Sequence, residues 1–135
     1  MSVLYSFTVP ILPRGWARAR TKDGRYFVDA KTSEAKEQVA WAFRQACAGP
    51  LLEGAVGLTI RAFFPFPKST AKKVVALDEA VPHVKKPDSD NVSKLVCDAL
   101  NGIAWRDDAQ VCDLQVRKRY SRVPRIEIEI VGREV

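Results

Sequence analysis

Three carboxylates and a lysine stand out by their spacing. Asp88 and Asp90 are separated by one residue, Lys94 follows four residues after Asp90, and Asp108 closes the acidic pair Asp107-Asp108. Carboxylates gathered in this way suit metal-assisted phosphodiester hydrolysis. Mg2+ is a hard cation that takes oxygen ligands, keeps several waters, and is usually held by a few carboxylates plus the substrate phosphate. Such an ion polarises the phosphoryl oxygen, generates hydroxide and stabilises the leaving oxygen. A lysine on the same face neutralises charge building on the phosphate or orients the attacking water. A purely structural account covers the same residues: Asp near a helix start caps it, Asp-Lys at helical spacing makes a surface ion pair, and Asp-Asp in a loop makes a solvated turn. Spacing alone leaves both open.

The elements that must hold these groups can be read from the flanking residues. Lys85 and Lys86 form a cationic pair, kept extended because Pro87 disfavours helical geometry at the residue before it. From Val92 the apolar residues fall at Val92, Leu95, Val96, Ala99, Leu100 and Ile103, the spacing of one buried helical stripe. Asn101-Gly102 supplies a stop, and Asp88 or Asp90 supplies an N-cap. Asp90 and Lys94 then share a face turned away from the stripe, and Asp98 drifts along the same side. Asp107 and Asp108 come after a short loop, just ahead of a predicted strand over residues 110–120.

The run Lys86-Pro87-Asp88-Ser89-Asp90-Asn91-Val92-Ser93-Lys94, followed by Asp98-Ala99-Leu100-Asn101-Gly102 and Trp105-Arg106-Asp107-Asp108-Ala109-Gln110-Val111, closely resembles the RusA family of Holliday junction resolvases. That family's pattern is KPDxDN, a lysine four residues after the second Asp, a DAL turn of helix and a DDxQV ending. Val92 stands where the family more often carries Leu, an apolar exchange. The resemblance implies a small homodimeric, Mg2+-dependent endonuclease, with Mn2+ a possible substitute, that cuts four-way DNA junctions by paired, symmetric nicks in recombination and repair. It places the catalytic and metal-binding carboxylates on Asp88, Asp90 and Asp108 and the catalytic lysine on Lys94, with Asp107 in support. It also implies a bacterial or phage, often prophage, origin.

Charge agrees with a polyanionic partner. Lys and Arg number 22 against 16 Asp and Glu, a net charge of +6, and its distribution points to DNA. Residues 14–31 carry Arg14, Arg18, Arg20, Lys22, Arg25 and Lys31 against only Asp23 and Asp29, with Trp16, Tyr26 and Phe27 interleaved. Cations meet phosphates and flat rings stack on splayed bases, so Arg14, Arg18, Arg20, Lys22 and Arg25 are DNA-binding candidates. The bland account is a solvated basic loop. Asp23-Gly24 is a hairpin-turn signal that would split the segment into two short strands or a flap. Lys85 and Lys86, and Arg117 and Arg119 on the basic end of the 110–120 strand, join the candidate DNA surface. No apolar run approaches the roughly 20 residues of a membrane span, and the start lacks a signal-peptide core, so a cytoplasmic protein without a membrane partner is expected. Cys47, Cys97 and Cys112 form no CxxC pair, and with a single histidine, His83, they read as free thiols rather than a zinc site.

The remaining chain supplies the scaffold. Residues 3–9 alternate as a strand, residues 32–34 cap a helix with apolar positions Ala35, Val39, Ala42, Phe43 and Ala46, and residues 55–64 alternate as a central strand. A short helix is predicted within residues 68–80. Residues 125–131 form a final strand, predicted to pair with its predecessor as a hairpin through residues 121–124. The chain reads as one domain over residues 1–135, an α+β fold in β-α-β-α-α-β-β order, with helices on one face of a mixed or antiparallel sheet. Two other functions fit less of the sequence. One is a nuclease for flaps or forks; the other is a non-catalytic DNA-binding module whose acidic residues are only caps and ion pairs.

Overall fold

The computed structural model describes residues 3–15, 20–27 and 30–133. In chain order the elements are β1 (Val3–Val9), β2 (Arg20–Lys22), β3 (Arg25–Phe27), α1 (Ala30–Ala46), β4 (Ala55–Phe64), α2 (Lys72–Val75), α3 (Ser89–Leu100), β5 (Val111–Tyr120) and β6 (Arg125–Arg133), with 3-10 turns at Asp78–Ala80 and Asp108–Gln110. Four strands form one mixed sheet in the order β1-β6-β4-β5, and β2 and β3 pair separately as a hairpin. The fold is α+β, as the sequence predicts.

Alternation builds the core. Leu58, Ile60 and Ala62 on β4 and Ile126, Ile128 and Ile130 on β6 are fully buried on one face of the sheet. Val39 and Phe43 from α1 and Val92, Val96 and Leu100 from α3 pack on that same face in a single apolar cluster. The opposite face is polar and open: Arg61 pairs with Glu129 at 3.3 Å and Arg125 with Glu127 at 3.0 Å.

Strand order departs from the sequence reading at one point. β5 and β6 do not form a hairpin. β4 lies between them, parallel to β5 and antiparallel to β6. Residues 121–124 therefore cross the end of β4 instead of turning between neighbours. The physical reason is burial: β6 alternates as a central strand, whereas β5 is half-exposed along its length and belongs at an edge. Joining parallel β4 and β5 needs a crossover, and the chain between them, including α3, supplies it. A smaller difference concerns α1, which begins at Ala30, so Thr32 lies inside the helix and is buried instead of capping it.

Candidate active site

α3 is the rod on which the acidic residues are arranged. It starts after Asp88, which takes the N-cap position in extended geometry but makes no side-chain capping hydrogen bond. Its carboxylate is therefore not spent on the helix end, and Asp88, Asp90 and Lys94 are all exposed. Ser93 Oγ instead donates to the Asp90 carbonyl at 2.8 Å. At the other end Asn101 N–H bonds Cys97 O at 2.9 Å, and Gly102 turns the chain at φ +82°.

Asp108 sits at this second end. Its carboxyl pKa is raised from its ordinary value, first by burial, then by a hydrogen bond and the charge of Asp107 and by the charge of Asp98, while Asn101 opposes the shift. Cys97, also near Asp108 and Asp98, has its thiol pushed up to about 12, chiefly by burial. With a rise of about 1.5 Å per residue, Asp98 lies roughly 12 Å along the axis from Asp90 and about 15 Å from Asp88. Asp88 and Asp90 thus stand at the start of α3, whereas Asp108 pairs with Asp107 near its end, within charge reach of Asp98. Among the described residues no three His, Cys, Asp or Glu side chains stand together as a ready metal cage. Mg2+ does not need one, since a carboxylate or two plus substrate phosphate holds it. The exposed carboxylates of Asp88 and Asp90, and of Asp107 and Asp108, are hard oxygen donors of the kind a divalent cation takes.

Two side chains outside the sequence-predicted set position these groups. Lys118, on the helix-covered side of β5, donates from Nζ to the carbonyls of Lys85 and Pro87, each at 2.6 Å, and so ties down the loop entering Asp88. The alternation of β5 marked its face; only the tertiary structure shows its target. Gln110 accepts from the N–H groups of Arg106 and Asp107 at 2.8 and 3.2 Å and donates to the carbonyls of Leu52 and Gly54 at 3.0 and 2.9 Å. It pins the Asp107-Asp108 loop to the chain entering β4. His83 is buried, stacked on Phe64 at 3.7 Å and edge-on to Tyr120, with its pKa lowered first by burial and then by the charges of Lys118 and Lys85. It packs as a neutral core histidine.

The basic residues fall in two places. The chain entering the hairpin lies against the site: a Cβ on Gly15 would stand 2.6 Å from Pro87 Cβ and 3.0 Å from Asn91 Cβ. Arg14 is half-buried beside it and Arg25 is exposed after the Asp23-Gly24 turn, where both residues take positive φ. Arg18 lies outside the described residues, as do the side chains of Arg20 and Lys22. Lys85 and Lys86 are exposed immediately before Asp88. Arg117 and Arg119, by contrast, register with Arg61 and Phe63 of β4 and project from the open face of the sheet, away from α3.

Residues 9–131 match the family described as Endodeoxyribonuclease RusA. The chain belongs to the RusA family. It is also 36% identical over 123 residues, 87% of each chain, to the protein named Uncharacterized protein YqaN from Bacillus subtilis (strain 168). As a RusA-family protein it is an endodeoxyribonuclease, a hydrolase of phosphodiester bonds, of the Holliday-junction-resolving kind. No helix among its described residues is long and apolar enough to cross a membrane.

Proposed function

We propose that this RusA-family chain, a single domain, resolves four-way junctions as a homodimer, by Mg2+-dependent paired nicks, in the cytoplasm of a bacterium or under a phage genome. The family match carries the reading. It is supported by the exposed Asp88-Asp90-Lys94 turn, whose carboxylates make no helix cap. Asp88 and Asp90 would hold a divalent ion together with the scissile phosphate, and Asp108 would hold one beside Asp107. The ion, when bound, supplies Lewis acidity and an activated water. Lys94, on the Asp90 face of α3, carries charge toward the phosphate. Arg14, Arg18, Arg20, Lys22, Arg25, Lys85 and Lys86 would contact DNA phosphates, and Arg117 and Arg119 would serve a separate phosphate path on the open sheet. A four-way junction is roughly two-fold symmetric, so two copies related by a two-fold axis match it.

The test is cleavage of an end-labelled four-way junction with a mobile core, against linear duplex and a flap, in Mg2+, Mn2+ or EDTA. Metal-dependent nicks paired in opposite strands of the junction are expected. Asp88→Asn, Asp90→Asn and Asp108→Asn should each lower the rate by about a thousandfold or more. Their metal-free junction binding should hold or tighten, because removing a carboxylate lessens repulsion of phosphate. A junction that is bound but left intact in both metals would leave a DNA-binding relative without catalysis.

A further inference from the structure

The edge of the central sheet offers a specific surface for the second copy. β5 has β4 on one side. On the other, among the described residues, only its last residues are covered: His83 N–H bonds Lys118 O at 3.1 Å, Tyr120 N–H bonds Val81 O at 2.9 Å, and Pro82 faces Arg119. Those two bonds fix which backbone groups point outward. Lys118 and Tyr120 do, so by alternation Val116 and Leu114 do as well. Among the described residues no strand lies beyond them. This open edge carries Leu114, 52% exposed. An open edge with unpaired backbone groups is a pairing template unless something covers it.

The sequence of the edge is complementary to itself in one antiparallel register. Hydrogen-bonded pairs across a two-fold axis must join outward-pointing residues, so Leu114 or Val116 must meet Leu114 or Val116. Centring the axis on Val116 would drive Leu114 against Lys118, whose edge His83 already occupies. Centring it on Leu114 sets Asp113 opposite Gln115. Centring it on Gln115 sets Leu114 opposite Val116 and Asp113 opposite Arg117, each twice. It also confines the pairing to residues 113–117, the stretch that the Val81–His83 cover leaves free. Opposite charges and apolar pairs directly across a ladder are the favourable ones. Asp113 is held at 2.8 Å by Arg133 with 60% of its side chain exposed, so its carboxylate is already fixed on the face where Arg117 would meet it.

We propose that two copies of this chain associate through β5, antiparallel and centred on Gln115, to make a continuous eight-stranded sheet. The proposal rests on the dimer of the preceding reading and names its surface. Four hydrogen bonds, from the N–H and C=O groups of Leu114 and Val116 in each copy, close the join.

The test needs no DNA, so its outcome is independent of cleavage. Gln115 meets its own symmetry mate in a non-hydrogen-bonded pair, with Cα atoms about 4.5 Å apart, within disulfide reach. The variant Cys112→Ser/Gln115→Cys should therefore form a disulfide-linked dimer on mild oxidation, and Cys112→Ser alone should not. Wild type should sediment as a dimer at micromolar concentration. Leu114→Pro removes an N–H that the single chain does not use, at an edge position where proline is tolerated. It should raise the dimer dissociation constant at least about tenfold with circular dichroism unchanged. A monomeric wild type would overturn the proposal. A dimer that fails to cross-link through Gln115→Cys would overturn it equally, by placing the contact on another face.

Discussion

Lys118 shows how a residue remote from the acidic motif governs it. Its ammonium satisfies the two carbonyls that bracket Lys86, at 2.6 Å each, and so sets where Asp88 leaves the loop. Because that charge faces backbone, Lys118→Met should slow cleavage while sparing junction affinity. Displacement by about an ångström at a reacting centre costs on the order of a hundredfold, so a fall of about ten- to a hundredfold in the single-turnover rate is the expected result. Lys118→Arg, which keeps a donor, should recover part of it. Equal loss in rate and binding would instead mark Lys118 as a phosphate contact. Asp108, by contrast, belongs to the acidic motif itself. Its raised pKa comes from burial and acidic neighbours, and added Mg2+ should therefore raise the melting temperature of wild type more than that of Asp108→Asn.

Among the elements, the link across the end of β4 depends on the turn Asp78–Ala80. Glu79 accepts from Ser121 Oγ at 2.8 Å and Arg125 at 3.0 Å, while Asp78 accepts from the Arg122 N–H at 2.9 Å. Arg125 holds the Glu79 carboxyl below its ordinary value of 4.5, helped by Ser121. A lowered folded pKa means stability that is present above the unfolded value and lost as pH falls through the folded one. The group is largely exposed, so solvent screens the pair and Glu79→Gln should cost no more than about 1 kcal/mol at pH 7. That difference should shrink below pH 4.5, as urea melts at several pH values would show. The loop before β2 has its own constraint. Gly15→Val would press on Pro87 and Asn91, and should weaken junction binding and cleavage together by moving the basic segment off the site. Unchanged binding would detach that segment from the DNA path.

At the scale of the molecule, charge and symmetry meet. The net charge is +6, so phosphate contacts should dominate affinity. Raising salt from 50 to 200 mM should weaken junction binding by about a hundredfold or more. Arg117→Ala and Arg119→Ala should each flatten the logarithmic salt dependence by about one unit with little change in the rate of bound complexes. Pairing through β5 would carry these arginines of both copies onto one continuous face.

The sequence by itself determined what is local. The stripe from Val92 to Leu100, the Asn101-Gly102 stop, the alternation of β1, β4 and β6 and the spacing of Asp88, Asp90, Lys94 and Asp108 follow from period and turn chemistry, and those residues carried the family resemblance. Non-local neighbours were decided only by the tertiary structure. β4 enters between β5 and β6 because fully buried alternation belongs at a sheet's centre and half-exposed alternation at its edge, and neither strand's own sequence names its partner. For the same reason Asp108 comes to lie beside Asp98 and Asn101 at the far end of α3. A rigid helix spaces its two ends by its length, and where the returning chain meets it depends on the sheet beneath.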